Sequence, residues 1–124
     1  MTTEWKEGQP IYRQLRDLMA DAILKGSLTE GDSLPSVRAV AVDMKINPLT
    51  ASKAYQELVN EKLVEKRRGL GMFVIEGART RLLQAERTHF LEEEWPSIVA
   101  RIASLDLDSA ELLKSANKQN RNKP

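Results

Sequence analysis

The first sixty residues repeat apolar positions at intervals that predict three helices separated by short breaks. Between Pro10 and Lys25, apolar side chains return every three or four residues, which places them on one face of a helix. Gly26 ends that helix, and a loop follows to Ser33. A short second helix is predicted from Ser36, because a serine hydroxyl there can cap the first backbone amides.

The third helix follows the turn formed by Lys45, Ile46 and Asn47. Pro48 suits its first position, since proline lacks the amide that is unpaired there, and the helix is predicted to run to about Asn60. Its buried stripe consists of Ala51, Ala54, Tyr55 and Leu58.

The next pattern predicts a β-hairpin. Residues 63–66 and 72–75 resemble two short strands. The segment that joins them has the sequence Arg67-Arg68-Gly69-Leu70-Gly71. The hairpin therefore has a basic tip that contains two glycines.

Residues 78–104 return to a helical pattern with a continuous apolar seam. The members of this seam, at intervals of four, three, four and three, are Leu91, Trp95, Ile98, Ile102 and Leu105. Pro96 interrupts the pattern, so we expect a kink or two abutting helices at that point. A final short helix is predicted from Asp108, and residues 118–124 are expected to form a disordered tail.

The apolar seam needs a covering partner. The leucines of the final helix are too few to cover it, so we expect a second copy of the chain to bury the seam, with Phe90 beside it. A purely intramolecular core is the alternative. A pocket for an unknown small-molecule effector, lined by Phe90 and Trp95, also stays open, although aromatic residues at helical spacing more often pack.

Composition argues against an enzyme. The 124 residues suffice for about one domain, with 41% hydrophobic and 30% charged residues. The chain contains no cysteine, and His89 is its single histidine, so disulfides, thiolate metal sites and histidine-based chemistry lack their parts. The carboxylates Glu92, Glu93 and Glu94 are interpreted as solvated helix surface. We therefore expect neither catalysis nor a cofactor.

Charge and hydropathy suggest where the protein works. No apolar run approaches the roughly 18 residues of a membrane span, and the N-terminus is polar, so a cytoplasmic location without membrane contact is expected. The net charge is only +1, but basic side chains crowd the region from Lys62 to Arg81. A locally basic face can bind phosphate even in a nearly neutral protein.

The order of elements predicts the fold class. Helix, short helix, turn, helix and basic hairpin are typical of a winged helix-turn-helix, whose third helix enters the major groove of DNA. We predict a mainly α fold with a small β-hairpin: a DNA-binding domain over residues 9–76 and a short two-helix dimerisation segment over 77–117. A winged-helix module that binds protein instead of DNA is the alternative.

Four ordered motifs resemble the GntR family of bacterial repressors. They are Leu34-Pro35-Ser36-Val37-Arg38, Asn47-Pro48 with Thr50, Ala54-Tyr55-Gln56-Glu57-Leu58, and Arg67-Arg68-Gly69-Leu70-Gly71-Met72-Phe73-Val74. The opening Pro10-Ile11-Tyr12 and the short C-terminal segment are most similar to its YtrA-like subfamily. The resemblance covers residues 9 to about 75 and implies a homodimer that binds a double-stranded, palindromic operator.

The resemblance also implies which residues hold DNA. The candidates are Ser36, Arg38, Asn47, Pro48, Leu49, Thr50, Ser52, Lys53, Arg67, Arg68, Gly69 and Gly71. Leu49 and Ser52 depart from the family, which more often has a polar residue and an arginine there. From the residues themselves, free amides at the start of the third helix favour phosphate. Simple helix caps, or an ion pair of Arg38 with Asp43 or Glu57, are the alternatives.

Overall fold

The computed structural model describes residues 4–122, which form two compact units divided between Ala85 and Glu86. The first unit contains α1 (Ile11–Lys25), α2 (Val37–Met44) and α3 (Pro48–Asn60). α1 ends at Gly26, whose φ of +86° places it in the left-handed region that favours glycine. The predicted order and boundaries of these helices are confirmed.

The wing consists of β1 (Val64–Arg67), β2 (Gly71–Val74) and the turn between them. The strands are antiparallel, with Val64 opposite Val74. The loop before α2, predicted as irregular, pairs with β2 through an isolated bridge between Ser33 and Phe73. This bridge attaches the loop to the edge of the two-stranded wing, a contact that the local sequence pattern does not indicate.

A single hydrophobic core holds these elements together. Its buried side chains come from all three helices α1 to α3, from both strands, from the connecting residues Leu34 and Leu63, and from the first two turns of α4 (Ala78–His89). The largest are Tyr55, Leu15, Ile23, Leu58, Leu63, Val64 and Val74. The mainly α fold with a small hairpin, predicted from the sequence, is confirmed.

One ion pair fastens α1 to the end of α3. The Arg16 guanidinium donates to both carboxylate oxygens of Glu61, with Nε 2.8 Å from Oε2. This hydrogen bonding raises the pKa of Arg16. Arg16 is mostly shielded from solvent, so water weakens this pair of hydrogen bonds little. The pair therefore holds the C-terminal end of α3 against α1.

The Tyr55 hydroxyl ties α3 to the segment before α2. It donates to the backbone carbonyl of Pro35 at 2.7 Å, and the side chain is only 1% exposed. Burial raises the pKa of Tyr55, so the phenol stays protonated and remains a donor.

Replacing Tyr55 by phenylalanine removes this bond while leaving the ring in the core. We expect a loss of about 1 kcal/mol in the free energy of unfolding, because a buried hydrogen bond contributes about that much net. Urea unfolding of the variant beside Tyr12→Phe measures it, since the Tyr12 hydroxyl makes no hydrogen bond within residues 4–122. Equal stability of the two variants would contradict a structural role for the Tyr55 hydroxyl.

The described part of the second unit, residues 86–122, consists of helical segments with one turn at residues 105–108. The end of α4 leads into a π-helical segment (Phe90–Glu94), followed by α5 (Trp95–Ser104) and α6 (Ser109–Arg121). The interruption expected at Pro96 takes the form of this π-helical segment, where the Trp95 amide donates to the Phe90 carbonyl. A wider turn just before proline accommodates a residue that cannot donate to the carbonyl four positions earlier.

α6 extends further than expected. It remains helical to Arg121, whereas a disordered tail was predicted from residue 118; the predicted tail's last two residues, 123 and 124, lie outside the described residues. Asp108 caps α6 by accepting from the Ala110 amide at 2.9 Å. No helix of residues 4–122 has the length and apolar character needed to cross a membrane.

Candidate nucleic-acid interface

Two adjacent residues, Leu34 and Pro35, connect three parts of the first unit; we call them the Leu34–Pro35 junction. The Leu34 amide donates to the Met72 carbonyl of β2 at 2.8 Å. The Pro35 carbonyl accepts from the Tyr55 hydroxyl of α3 at 2.7 Å. α2 begins two residues later, so the wing, α3 and the start of α2 are joined at one point.

The start of α2 offers unpaired donors. Ser36 caps the helix by accepting from the Ala39 amide at 3.0 Å. Within residues 4–122, the amides of Val37 and Arg38 have no acceptor. The exposed Arg38 guanidinium makes neither of the ion pairs considered for it and has no hydrogen-bond partner in that part of the chain. Amides and guanidinium together can bind an anion.

The start of α3 differs from expectation in one respect. The Asn47 side chain caps the Leu49 amide at 2.8 Å, and the Asn47 carbonyl accepts from the Thr50 amide at 2.9 Å. Pro48 has no amide hydrogen. The expectation that free amides here would bind phosphate is therefore wrong, because each is absent or already paired. α3 presents side chains instead.

The outer face of α3 carries one large apolar and several polar side chains. Leu49 is 78% exposed, Ser52 and Lys53 are exposed, and Thr50 is half-buried. The Lys53 ammonium lies 4.1 Å from the centre of the Tyr12 ring of α1. This cation–π contact restrains a long, flexible side chain. Sequence reasoning noted the tyrosine only as part of a motif and missed this partnership.

The two arginines of the wing have different surroundings. The Arg67 guanidinium lies 4.3 Å from the centre of the Phe73 ring and pairs with Glu65 at 3.1 Å. Arg68 is exposed and makes no hydrogen bond or ion pair to any residue between 4 and 122. Arg67 is therefore held against the hairpin, and Arg68 is the unpaired cation of the tip.

Glycine gives the tip its shape. The Leu70 amide donates to the Arg67 carbonyl at 2.8 Å, which closes a tight turn. Gly69, with φ of +77°, and Gly71, with φ of +108°, occupy a backbone region that other residues rarely adopt. Both are exposed, so the tip presents bare backbone on either side of Leu70.

The candidate dimer residues lie in the second unit, and the chain itself buries none of them. Their exposure ranges from half-buried Trp95 and Ile102 to Leu91 at 62%. The remaining three, all exposed, are Phe90, Ile98 and Leu105. The Phe90 and Trp95 rings lie 6.3 Å apart, tilted by 37°. Val99 and Leu107, which sequence reasoning did not include, are exposed as well.

Comparison with known proteins identifies relatives of both units. Over 104 residues, the chain is 38% identical to the HTH-type transcriptional repressor YtrA of Bacillus subtilis (strain 168), a match that covers 83% of this chain and 80% of the relative. It is also 32% identical over 114 residues to the uncharacterized HTH-type transcriptional regulator YhcF of the same organism, covering 92% of this chain and 93% of YhcF. Both relatives are named as transcriptional regulators and not as enzymes.

A solved structure and a family assignment agree with these relatives. The crystal structure of a transcriptional regulator from Oenococcus oeni matches with a TM-score of 0.75 and 28% identity, covering 94% of this chain and 95% of the other. Residues 11–74 match the family described as bacterial regulatory proteins, gntR family. The matched residues run from α1 to the end of the wing. This match shows that the chain belongs to the GntR family of bacterial regulatory proteins.

Proposed function

We propose that this GntR-family, DNA-binding regulator acts as a homodimer that binds a palindromic operator and represses transcription by occupying it. The observation that carries the proposal is the Leu34–Pro35 junction. It joins the elements that bear Arg38, the outer face of α3 and the wing tip, so these three groups are presented by one connected scaffold. Connected elements lose less conformational entropy on binding than separate ones.

The start of α2 serves as the phosphate anchor. Its unpaired amides of Val37 and Arg38 carry the positive end of the helix dipole, and the Arg38 side chain adds a full charge. Phosphate contacts of this kind fix the register of a protein on the duplex without reading its sequence. α3 is then free to use its side chains for base contacts.

α3 reads bases in the major groove with short side chains. Leu49, at 78% exposure, can contact a thymine methyl, while Thr50 and Ser52 can exchange hydrogen bonds with base edges or phosphate. Lys53, restrained over the Tyr12 ring, supplies a cation at the edge of this helix. Apolar readout by Leu49 favours a half-site that contains an A·T pair.

The wing makes a second contact with the backbone or minor groove. Arg68 supplies its charge, because Arg67 is already engaged with Glu65 and Phe73. The glycines on either side of Leu70 let the tip approach the duplex closely. Arg67 acts as a support that stiffens the tip.

The second unit pairs two copies of the chain. No residue from Glu86 to Asn122 is buried within a single chain, although α5 and α6 carry large apolar side chains. The exposed ones in these two helices are Ile98, Val99, Leu112 and Leu113. Large apolar side chains left exposed in this number are unfavourable in water and typical of the surface of an obligate interface. A two-fold axis through it duplicates the DNA-binding surface, as a palindrome requires.

Selection from a random double-stranded DNA pool tests the proposal. We expect recovery of a palindrome with one preferred spacing, bound with an affinity that falls steeply with salt. A promoter carrying the recovered sequence should be silenced by the protein in a purified transcription reaction. A pool without enrichment would refute sequence-specific binding and favour a protein-binding module, and enrichment of a single half-site would refute the dimer.

A further inference from the structure

Three side chains bind the first two turns of α4 to the rest of the first unit; we call Glu30, Arg79 and Arg81 the α4 anchor. The Glu30 carboxylate accepts from the Gly77 amide at 2.7 Å, just before α4 begins. The Arg79 guanidinium donates through Nε to the Leu24 carbonyl near the end of α1, at 2.9 Å. These contacts link α4 to segments about 50 residues away in the chain.

Arg81 makes a fork to two further backbone carbonyls. Its Nε donates to Lys62 at 3.2 Å, and its Nη2 donates to Glu76 at 3.0 Å. Gly77 lies under this fork with a φ of +81°, and a Cβ at that position would stand 3.3 Å from Arg81 Nη1. A side chain at position 77 would therefore be strained by the positive φ and would require the Arg81 guanidinium to shift by a few tenths of an ångström.

Apolar packing by itself would leave the direction of α4 poorly determined. Only Ala78 and Leu82 of this helix are buried, and they form one narrow stripe about which a helix can tilt. The α4 anchor adds hydrogen bonds to the end of α1, to the start of α4 and to the segment after α3. Restraints on several sides of the N-terminal end of α4 fix the direction of this helix. Arg79 and Arg81 are exposed, so the hydrophobic core does not depend on them.

We propose that Glu30, Arg79 and Arg81 are positioning residues that set the spacing between the two operator half-sites. The inference rests on the proposed function, since it requires a dimer and a palindrome. α4 runs as one helix from Ala78 to His89, past the division between Ala85 and Glu86, so the anchored residues and the segment that leads to the helices proposed to dimerise are connected by the same helix. A tilt of about 15° displaces the far end of a 12-residue helix by about 5 Å, more than the roughly 3.4 Å rise of a base pair.

The test compares operators that differ only in spacing. The palindrome recovered with the wild-type protein is rebuilt with one or two base pairs added or removed at its centre, and affinities are measured for the wild type and for the double variant Arg79→Lys/Arg81→Lys. Lysine keeps the charge but cannot reproduce the guanidinium fork. Arg13→Lys is the control, because Arg13 is an exposed arginine of α1 whose side chain has no partner within residues 4–122.

We expect the wild type and Arg13→Lys to lose roughly tenfold or more in affinity on a change of one base pair, and the double variant to lose about threefold or less. Each profile is normalised to the variant's own best operator, so a uniform change in affinity cancels. Glu30→Gln weakens the hydrogen bond that residue 30 accepts from the Gly77 amide. This variant should also lose less affinity than the wild type when the spacing changes.

A double variant with the wild-type spacing profile would overturn the inference while leaving the proposed function intact. A wild-type protein that shows no spacing preference would overturn the proposed function and the inference with it. Thermal unfolding of each variant establishes that the first unit is folded, and the exposed position of both arginines makes a large loss of stability unexpected.

Discussion

Replacement of Arg38 by alanine should weaken operator binding by about 1 to 3 kcal/mol, or roughly 5- to 150-fold in Kd. The side chain is exposed and unpaired within residues 4–122, so its removal costs the folded protein little. On DNA, its charge lies beside the two unpaired amides at the start of α2, where a phosphate gains from all three donors. Titration of labelled operator at several salt concentrations measures the effect.

The salt dependence distinguishes the two contacts open to Arg38. If the guanidinium binds a phosphate, the slope of log K against log salt becomes shallower by about one, and all operators weaken equally. If it binds a guanine edge, discrimination is lost at one base pair. Arg13→Ala removes the same charge from an exposed position of α1 and serves as the control. Equal effects of the two variants would exclude a specific role for Arg38.

Ile98→Asp should divide the protein into monomers and reduce its affinity for the palindrome by roughly 100- to 10,000-fold, because two half-sites are no longer bound together. Ile98 lies in the middle of the apolar seam and is 41% exposed in the single chain. A carboxylate buried there without a partner opposes association strongly. Sedimentation at micromolar concentration measures the oligomeric state, and operator titration measures the affinity.

The first unit should remain folded in this variant. Its core ends at Leu82 and includes no residue of the second unit, so the backbone amide NMR shifts of α1 to α3 and the wing should change little. Ala100→Asp introduces the same charge into the same helix, two residues away and outside the seam, and should stay dimeric. An Ile98→Asp protein that sediments as the control does would disprove a dimer through this surface.

The α4 anchor links these two predictions, since it joins the unit that is proposed to hold DNA to the helix that leads to the proposed interface. A dimer whose helices are intact but which lacks the hydrogen bonds of the α4 anchor is expected to bind each half-site and to lose its spacing preference. Loss of Arg38 has the opposite signature, with weaker binding at an unchanged spacing. The two kinds of variant therefore report on different parts of recognition.

Local pattern determined most of the architecture. The apolar faces of α1 and α3 predict both helices, because residues three or four apart share a face and burying that face is what stabilises a helix. Ser36 and Asn47 were predictable as caps for the same reason: a cap acts on amides two or three residues away. The unburied seam was visible as well, since a short final helix has too little apolar surface to cover it.

Tertiary structure decided how the candidate site works. The bond from Tyr55 to Pro35, the pairing of Ser33 with Phe73 and the bond from Arg81 to the Lys62 carbonyl join residues about 20 to 40 positions apart. Periodicity carries no information about such contacts. Periodicity likewise could not distinguish Arg67 from Arg68, because the difference depends on which of the two side chains reaches the Phe73 ring across the hairpin.

The sequence by itself therefore determined which segments fold and which face of each is buried, because hydrophobic burial acts through local spacing. Only the folded chain decided which polar groups remain unpaired. At the start of α3 the amides are absent or occupied, and at the start of α2 two are free beside Arg38. The physical reason is that a hydrogen bond requires donor and acceptor to meet at about 3 Å, a condition set by the packing of the whole unit.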